Sequence, residues 1–220
     1  EGSHVVVIGA GFIGLEAAAT ATKNGAQVTV LEGLPAPLIR GLGEEQGAMI
    51  GRVHERNGVS VRCNVRIEAI EHNDRVTGVR LEGGEVVKAD VVIVGIGVSP
   101  ATQWLDDSGL TLRDGVVCDE FMNAGVPNVF AAGDMARWPN ALFADVEPEM
   151  RVEHWTTAME QGSAAGGNAY ALLNGEEQTP YATVPFFWSD QFDARIQFLG
   201  RVTAKAESVL VAGCEAEGKW

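Results

Sequence analysis

Three glycines at positions 9, 11 and 14 leave an apolar run and lead into a stretch of helical periodicity. That spacing suits a dinucleotide. Gly9 allows a tight turn, Gly11 removes the Cβ that would block a pyrophosphate, and Gly14 lets the helix pack closely on a sheet. Phosphate oxygens would then meet the free N–H groups of the helix N-terminus. The next apolar run ends in Glu32, where a carboxylate can accept hydrogen bonds from both hydroxyls of a ribose. A 2′-phosphate would set negative charge against Glu32, and the next arginine is Arg40, so the pattern favours NAD(H) over NADP(H).

Two further features belong to the same neighbourhood. The Gly95-Ile96-Gly97-Val98 turn follows a β-branched run; it offers flexible backbone where ligands of such sheets bind, or is simply a loop. Glu16 stands within a helical turn of the glycines, either as part of the site or as a solvated first-turn carboxylate favoured by the helix dipole. The candidate dinucleotide set is therefore Gly9, Gly11, Phe12, Ile13, Gly14, Glu16, Glu32, Arg40, Ile96 and Gly97.

A βαβ unit must position these residues. Residues 4–8 and 27–31 are β-branched strands, and residues 11–24 form a helix with an apolar stripe at Ile13, Ala17, Ala18 and Ala21, closed by Gly25. Residues 43–56 read as a second helix stopped by Asn57-Gly58, and 59–62 as a third parallel strand. The alternation then breaks. Strands at 65–70, 76–81 and 86–88, with turns at Asn73-Asp74 and Gly83-Gly84, predict an antiparallel meander inserted before a buried strand at 91–94 returns to the parallel sheet.

After Pro100 the spacing predicts a short helix near Trp104, strands at 116–118 and 129–131, the latter ending in Gly133-Asp134, and a long helix over 152–173. Residues 174–180 read as a linker, followed by strands at 184–188, 195–199 and 208–212. From the residues alone, Gly133-Asp134 is a turn with a capping aspartate, and Trp155 and Trp188 are core aromatics.

Composition bounds the rest. A chain of 220 residues, 46% hydrophobic and 21% charged, can bury a core and holds one large or two modest domains. Its formal charge of −14 disfavours nucleic acid as a partner. The longest apolar stretch, 89–98, is short for a membrane span and the start of the chain carries no secretory pattern, so a cytoplasmic location is expected. Cys63, Cys118 and Cys214 have no pairing or metal-ligand spacing and read as free thiols.

Six segments, IGAGFIGLE, VTVLE, ADVVIVGIGVSP, VPNVFAAGD, VEHWTTAMEQG and PFFWSDQF, resemble in that order the FAD-dependent NADH:ferredoxin reductases of aromatic-ring dioxygenase and P450 systems, within the pyridine nucleotide-disulfide oxidoreductase superfamily. The resemblance implies that NADH gives a hydride to FAD and that electrons pass on to a ferredoxin-type iron–sulfur protein. It places Gly133 and Asp134 at the ribityl chain of FAD. It also directs the helix that begins near Glu153, His154 and Trp155 at the flavin ring, and sets Trp155 and Trp188 near the flavin or its domain interface. A helix N-terminus stabilises the negative charge that collects on a reduced flavin. No catalytic role falls to His154, because hydride transfer to flavin needs no proton donor there.

The fold expected is α/β: a Rossmann-like parallel sheet with an inserted antiparallel β-meander, followed by part of an FAD domain and a truncated α+β C-terminal domain. The domains expected are an NAD(H)-binding domain over 1–112, the second half of an FAD-binding domain over 113–179 and the start of a C-terminal domain over 180–220. The family carries a preceding FAD segment with its own glycine fingerprint, so the chain reads as a fragment that binds NAD(H) but not FAD tightly by itself. Arg137, Arg195 and Arg201 are the candidate contacts for an acidic ferredoxin. The competing readings are a non-catalytic NAD-binding module, or the same flavoenzyme with rubredoxin, oxygen or a disulfide as acceptor; the last is disfavoured because no CxxxxC pair is present. Oligomeric state has no sequence signal.

Overall fold

The computed structural model describes residues 2–203, 206–209 and 211–213. Cys214 lies outside the described residues. The chain divides into two compact units: the described residues of 1–97, 189–196 and 204–220 form the first, and 98–188 with 197–203 form the second.

In the first unit the order is β1 (His4–Ile8), α1 (Phe12–Lys23), β2 (Gln27–Leu31), α2 (Ile39–Leu42), α3 (Glu44–Arg56) and β3 (Ser60–Arg62). The meander β4 (Ile67–His72), β5 (Val76–Leu81) and β6 (Val86–Lys88) follows, and then β7 (Val91–Val94). Strands β3, β2, β1 and β7 lie side by side in that order, all parallel, while β4, β5 and β6 pair antiparallel. The inserted meander and the parallel sheet expected from the sequence are both present.

Side-chain alternation along β1 builds two cores at once. Val5 and Val7 pack with Leu15 and Ala18 of α1 and with Val28 and Val30 of β2, while Val6 and Ile8 pack with Val79, Leu81 and Ala89 on the meander side. A strand covered on both faces must be apolar throughout, as Val5 to Ile8 are.

Three expectations change in this unit. The buried stripe of α1 is Gly14, Leu15, Ala18 and Ala19, and Ile13 is 71% exposed, because the approach of Gly14 to the turn before it sets which face meets the sheet. Strand β7 is not buried: it is the last strand of the described sheet, and Val91 and Val94 are exposed. The short helix α2 had no signal in the periodicity.

In the second unit β8 (Val116–Val117) runs parallel to β9 (Ala136–Trp138), which pairs antiparallel with β10 (Met150–Arg151). Trp138, Met122 and Met150 are fully buried at its core. The long helix α4 spans Trp155–Asn174 and ends at Gly175 in the left-handed conformation. The strand expected at 129–131 does not form; Phe130 makes a single bridge to Asn123, and Gly133–Met135 is a tight 3-10 turn leading into β9.

Strands β11 (Phe186–Gln191) and β12 (Ala194–Leu199) form a two-stranded sheet. Its residues 189–196 group with the first unit and the remainder with the second. No strand forms at the described residues of 208–212. Among the described residues, no helix is long and apolar enough to cross a membrane.

Candidate functional site

Two glycine turns, one in each unit, hold most of the candidate residues. In the first, Gly9 closes β1 with φ of +96°, and a Cβ there would stand 2.4 Å from the carbonyl oxygen of Gly95. A Cβ on Gly14 would stand 2.1 Å from the carbonyl oxygen of Gly9. Both positions therefore admit only glycine, one for torsion and contact together and the other for contact alone. Gly11 differs, since a Cβ there would meet nothing within 4 Å. The space beside it is open at the N-cap of α1, and no side chain caps that helix. Its first N–H groups are available to an anion.

Glu32 sits at the end of β2 and reaches back to this turn. Its Oε2 accepts a hydrogen bond from the Ala10 N–H at 2.7 Å, and its Oε1 accepts one from the Leu34 N–H at 2.9 Å. Each carboxylate oxygen keeps acceptor capacity for a ribose hydroxyl. Leu38 N–H donates to Ala10 O at 2.9 Å, which ties the segment bearing the exposed Arg40 to the same turn. Gly95 N–H donates to Ile8 O at 2.7 Å, setting Ile96 and Gly97 beside Gly9; both are exposed. Open space at Gly11, an uncapped helix and an anchored carboxylate fit the pyrophosphate and ribose of a dinucleotide.

Glu16 is not a solvated first-turn carboxylate. It lies beyond the first turn of α1, is partly buried, and accepts a hydrogen bond from Ser189 Oγ at 2.5 Å.

In the second unit the Gly133–Met135 turn packs against α4. Gly133 has φ of +78°, and its N–H donates to Gln161 Oε1 at 2.8 Å. Gln161 Nε2 is buried without a partner. Asp134 is exposed, and its side chain makes no hydrogen bond among the described residues. Arg151 Nη1 donates to Asp134 O at 2.9 Å and to Glu153 Oε1 at 2.6 Å, joining this turn to the residues ahead of α4. No side chain caps α4 at His154.

Beside the α4 N-terminus is an aromatic group. Trp155 meets Trp188 edge to face with centroids 6.1 Å apart, and His154 packs on Phe187 at 4.7 Å. Trp155 is 67% exposed. Burial, helped by Arg201, lowers the His154 pKa against the opposing pull of Asp134 and Glu153, and its Nδ1 has no partner. An unpartnered amide donor, an unpartnered ring nitrogen, an exposed carboxylate, an uncapped helix and exposed aromatic faces fit a group bearing both hydroxyls and a flat ring.

The structure thus gathers Gly9, Gly11, Gly14, Glu32 and the Gly95–Gly97 turn in one unit, and Gly133, Asp134, Glu153, His154, Trp155 and Trp188 in the other. The candidate arginines are already engaged: Arg137 pairs with Asp114 at 2.7 Å, Arg201 with Glu147 at 2.8 Å, and Arg195 lies 3.8 Å from Asp190. Neither described thiol is primed for redox chemistry. Burial, with Glu32 and Glu55 nearby, raises the Cys63 pKa, and burial together with Asp119 pushes Cys118 up to about 11. Sequence reasoning missed Gln161 and Arg151, which the fold brings to the Gly133 turn, and the buried His54, Ser189 and Gln191, which it links to Glu16.

The pyridine nucleotide-disulphide oxidoreductase family matches residues 1–162, which include both turns: the chain belongs to that family. Within it, the chain is 39% identical over 212 residues to the 5,5'-dehydrodivanillate O-demethylase ferredoxin reductase subunit of Sphingobium sp., covering 96% of this chain and 50% of that relative. It is 37% identical over 217 residues to rhodocoxin reductase of Rhodococcus erythropolis, covering 98% and 49%. The ferredoxin reductase for the CYP199A2 system from Rhodopseudomonas palustris superposes with a TM-score of 0.87 at 38% identity, covering 98% of this chain and 51% of that one. The reductase of the covalent putidaredoxin reductase–putidaredoxin complex gives 0.86 at 32% identity, covering 97% and 50%. The chain spans about half the length of the curated relatives it matches.

Proposed function

We propose that this chain is the NAD(H)-binding portion, with part of the FAD-binding portion, of a flavoprotein reductase that passes electrons from NADH to a ferredoxin-type iron–sulfur protein. The observation that carries the reading is the pair of turns, each with an uncapped helix N-terminus and an acidic residue, on a chain whose relatives bear ferredoxin-reductase names. The first unit serves NAD(H), and Gly133, Asp134 and the start of α4 in the second serve the flavin.

When bound, FAD supplies the conversion between the hydride of NADH and single electrons for the acceptor. The chain's own residues bind and orient. Gly11 and the α1 N-terminus take the pyrophosphate of NAD(H), and Glu32 accepts from the ribose hydroxyls. Asp134 accepts from a polyol hydroxyl, the α4 N-terminus favours negative charge beside it, and Trp155 and Trp188 cover an aromatic ring and exclude water.

Fluorescence titration tests this directly. NADH should saturate the chain, and NADPH should bind at least about tenfold more weakly because Glu32 faces its 2′-phosphate. Equal affinities would remove Glu32 from the site. A protein containing this chain together with the remaining half of its relatives' length should reduce a ferredoxin with NADH; absence of that turnover while NADH binds would favour a binding module.

A further inference from the structure

A row of buried polar side chains ends at Glu16. Ser189 Oγ donates to Glu16 Oε1 at 2.5 Å, Gln191 Nε2 donates to Ser189 Oγ at 3.0 Å, and Gln191 Oε1 lies 2.9 Å from His54 Nε2. Ser189, Gln191 and His54 are at most 1% exposed, and all four residues belong to the first unit. Phe192 and Ile196 beside them pack on the apolar core, so polar groups at this place stand out against their surroundings.

The carboxylate fixes the direction of the whole row. An ionised carboxylate only accepts, so the Ser189 proton points at Glu16. Ser189 Oγ must then accept, which turns the Gln191 amide nitrogen toward it and the amide oxygen toward His54. His54 therefore carries its proton on Nε2, and its bare Nδ1 is the buried ring nitrogen that has no partner. Every donor along the row points toward Glu16, and aligned hydrogen bonds of this kind reinforce one another.

Glu16 shares its helical face with Phe12, the first residue of α1, and lies five residues beyond Gly11. Its Oε2 has no hydrogen-bond partner among the described residues. We infer that Ser189 is a positioning residue for the dinucleotide site: backed by Gln191 and His54, it holds one oxygen of Glu16 so that the other accepts from an O–H or N–H of bound NADH. This rests on the reading that the glycine turn binds NAD(H).

The test is NADH titration of the 220-residue chain as wild type, Ser189→Ala, Ser189→Thr and Glu16→Gln, with 15N spectra of the His54 ring and a thermal melt of each. Ser189→Ala should weaken NADH about tenfold, the equivalent of one charge-assisted hydrogen bond, and Ser189→Thr should restore it. His54 should be a single Nε2–H tautomer in the wild type and a mixture in Glu16→Gln, whose amide no longer dictates direction. Unchanged NADH affinity in Ser189→Ala, with only a lowered melt, overturns the positioning role, as does an Nδ1–H tautomer in the wild type. A wild-type chain that binds no NADH overturns the dinucleotide reading, and the role falls with it.

Discussion

The turn after β1 and the turn at Gly133 are both glycine turns with an acidic residue close by, yet they are built from different materials. At the first, backbone meets backbone: Gly9 against Gly95, Gly14 against Gly9, and a carboxylate held by two main-chain N–H groups. At the second, a Cβ on Gly133 would meet only the Ala158 Cβ at 3.6 Å, an ordinary contact, and the turn hangs on the side chains of Gln161 and Arg151. Among the described residues, neither Glu32 nor the segment from Gly9 to Gly14 has a buried side-chain polar atom without a partner. The second leaves Gln161 Nε2 and His154 Nδ1 unmet. A turn closed by its own backbone satisfies itself, whereas one held by side chains leaves polar atoms over for a ligand to meet.

Substitution at the glycines should break the comparison or make it sharper. Gly14→Ala forces backbone apart and should cost about 3 kcal/mol of stability together with NADH binding. Gly133→Ala meets only the torsional penalty and should cost about 1 kcal/mol. Equal losses in paired thermal melts would show that the two turns are not differently built.

Next in size is Glu32→Ala, which should raise the NADH dissociation constant about tenfold and narrow the preference over NADPH. An unaltered preference would place the discrimination elsewhere. Gln161→Leu strips the acceptor from the Gly133 N–H and should lower stability by about 1 kcal/mol, read by chemical denaturation. No loss would mean that the turn does not depend on that side chain.

The smallest effect concerns protons. Each unit holds one histidine whose Nδ1 is buried without a partner, and burial lowers both pKa values from 6.5; at His154 Arg201 adds to this against Asp134 and Glu153, while the Gln191 hydrogen bond opposes it at His54. As the pH falls, the unfolded chain therefore takes up protons at these rings before the folded one does. Their contribution is complete above pH 6.5 and is lost as the pH falls through 6.5 toward the lowered folded values. His54→Gln and His154→Gln should each flatten part of this acid-side decline, and a wild-type melting temperature independent of pH over that window would contradict it.

The first turn was legible in the sequence because its logic is local. Glycine spacing, a β-branched run before it and an acidic residue after the next strand all lie within Val5–Glu32, and each has a steric or electrostatic reason. The second turn was legible only through resemblance, since Gly133-Asp134 alone is indistinguishable from any capped turn. Strands β9 and β10, of three and two residues, are too short for a period to register. The row from His54 to Glu16 joins positions 137 and 173 residues apart, and Ser189 and Gln191 occupy the inward positions of a strand where alternation predicts apolar side chains. Only tertiary contact explains them.

The two main-chain bonds to Glu32 carry a thermodynamic consequence. A free glutamate gives up about 1.5–2 kcal/mol of rotamer entropy when it is immobilised. Here the Ala10 and Leu34 N–H groups immobilise it through the protein's own backbone. On the proposed reading, a ribose would meet a preorganised acceptor, and the enthalpy of its hydrogen bonds would reach the binding free energy with little entropic offset from this side chain.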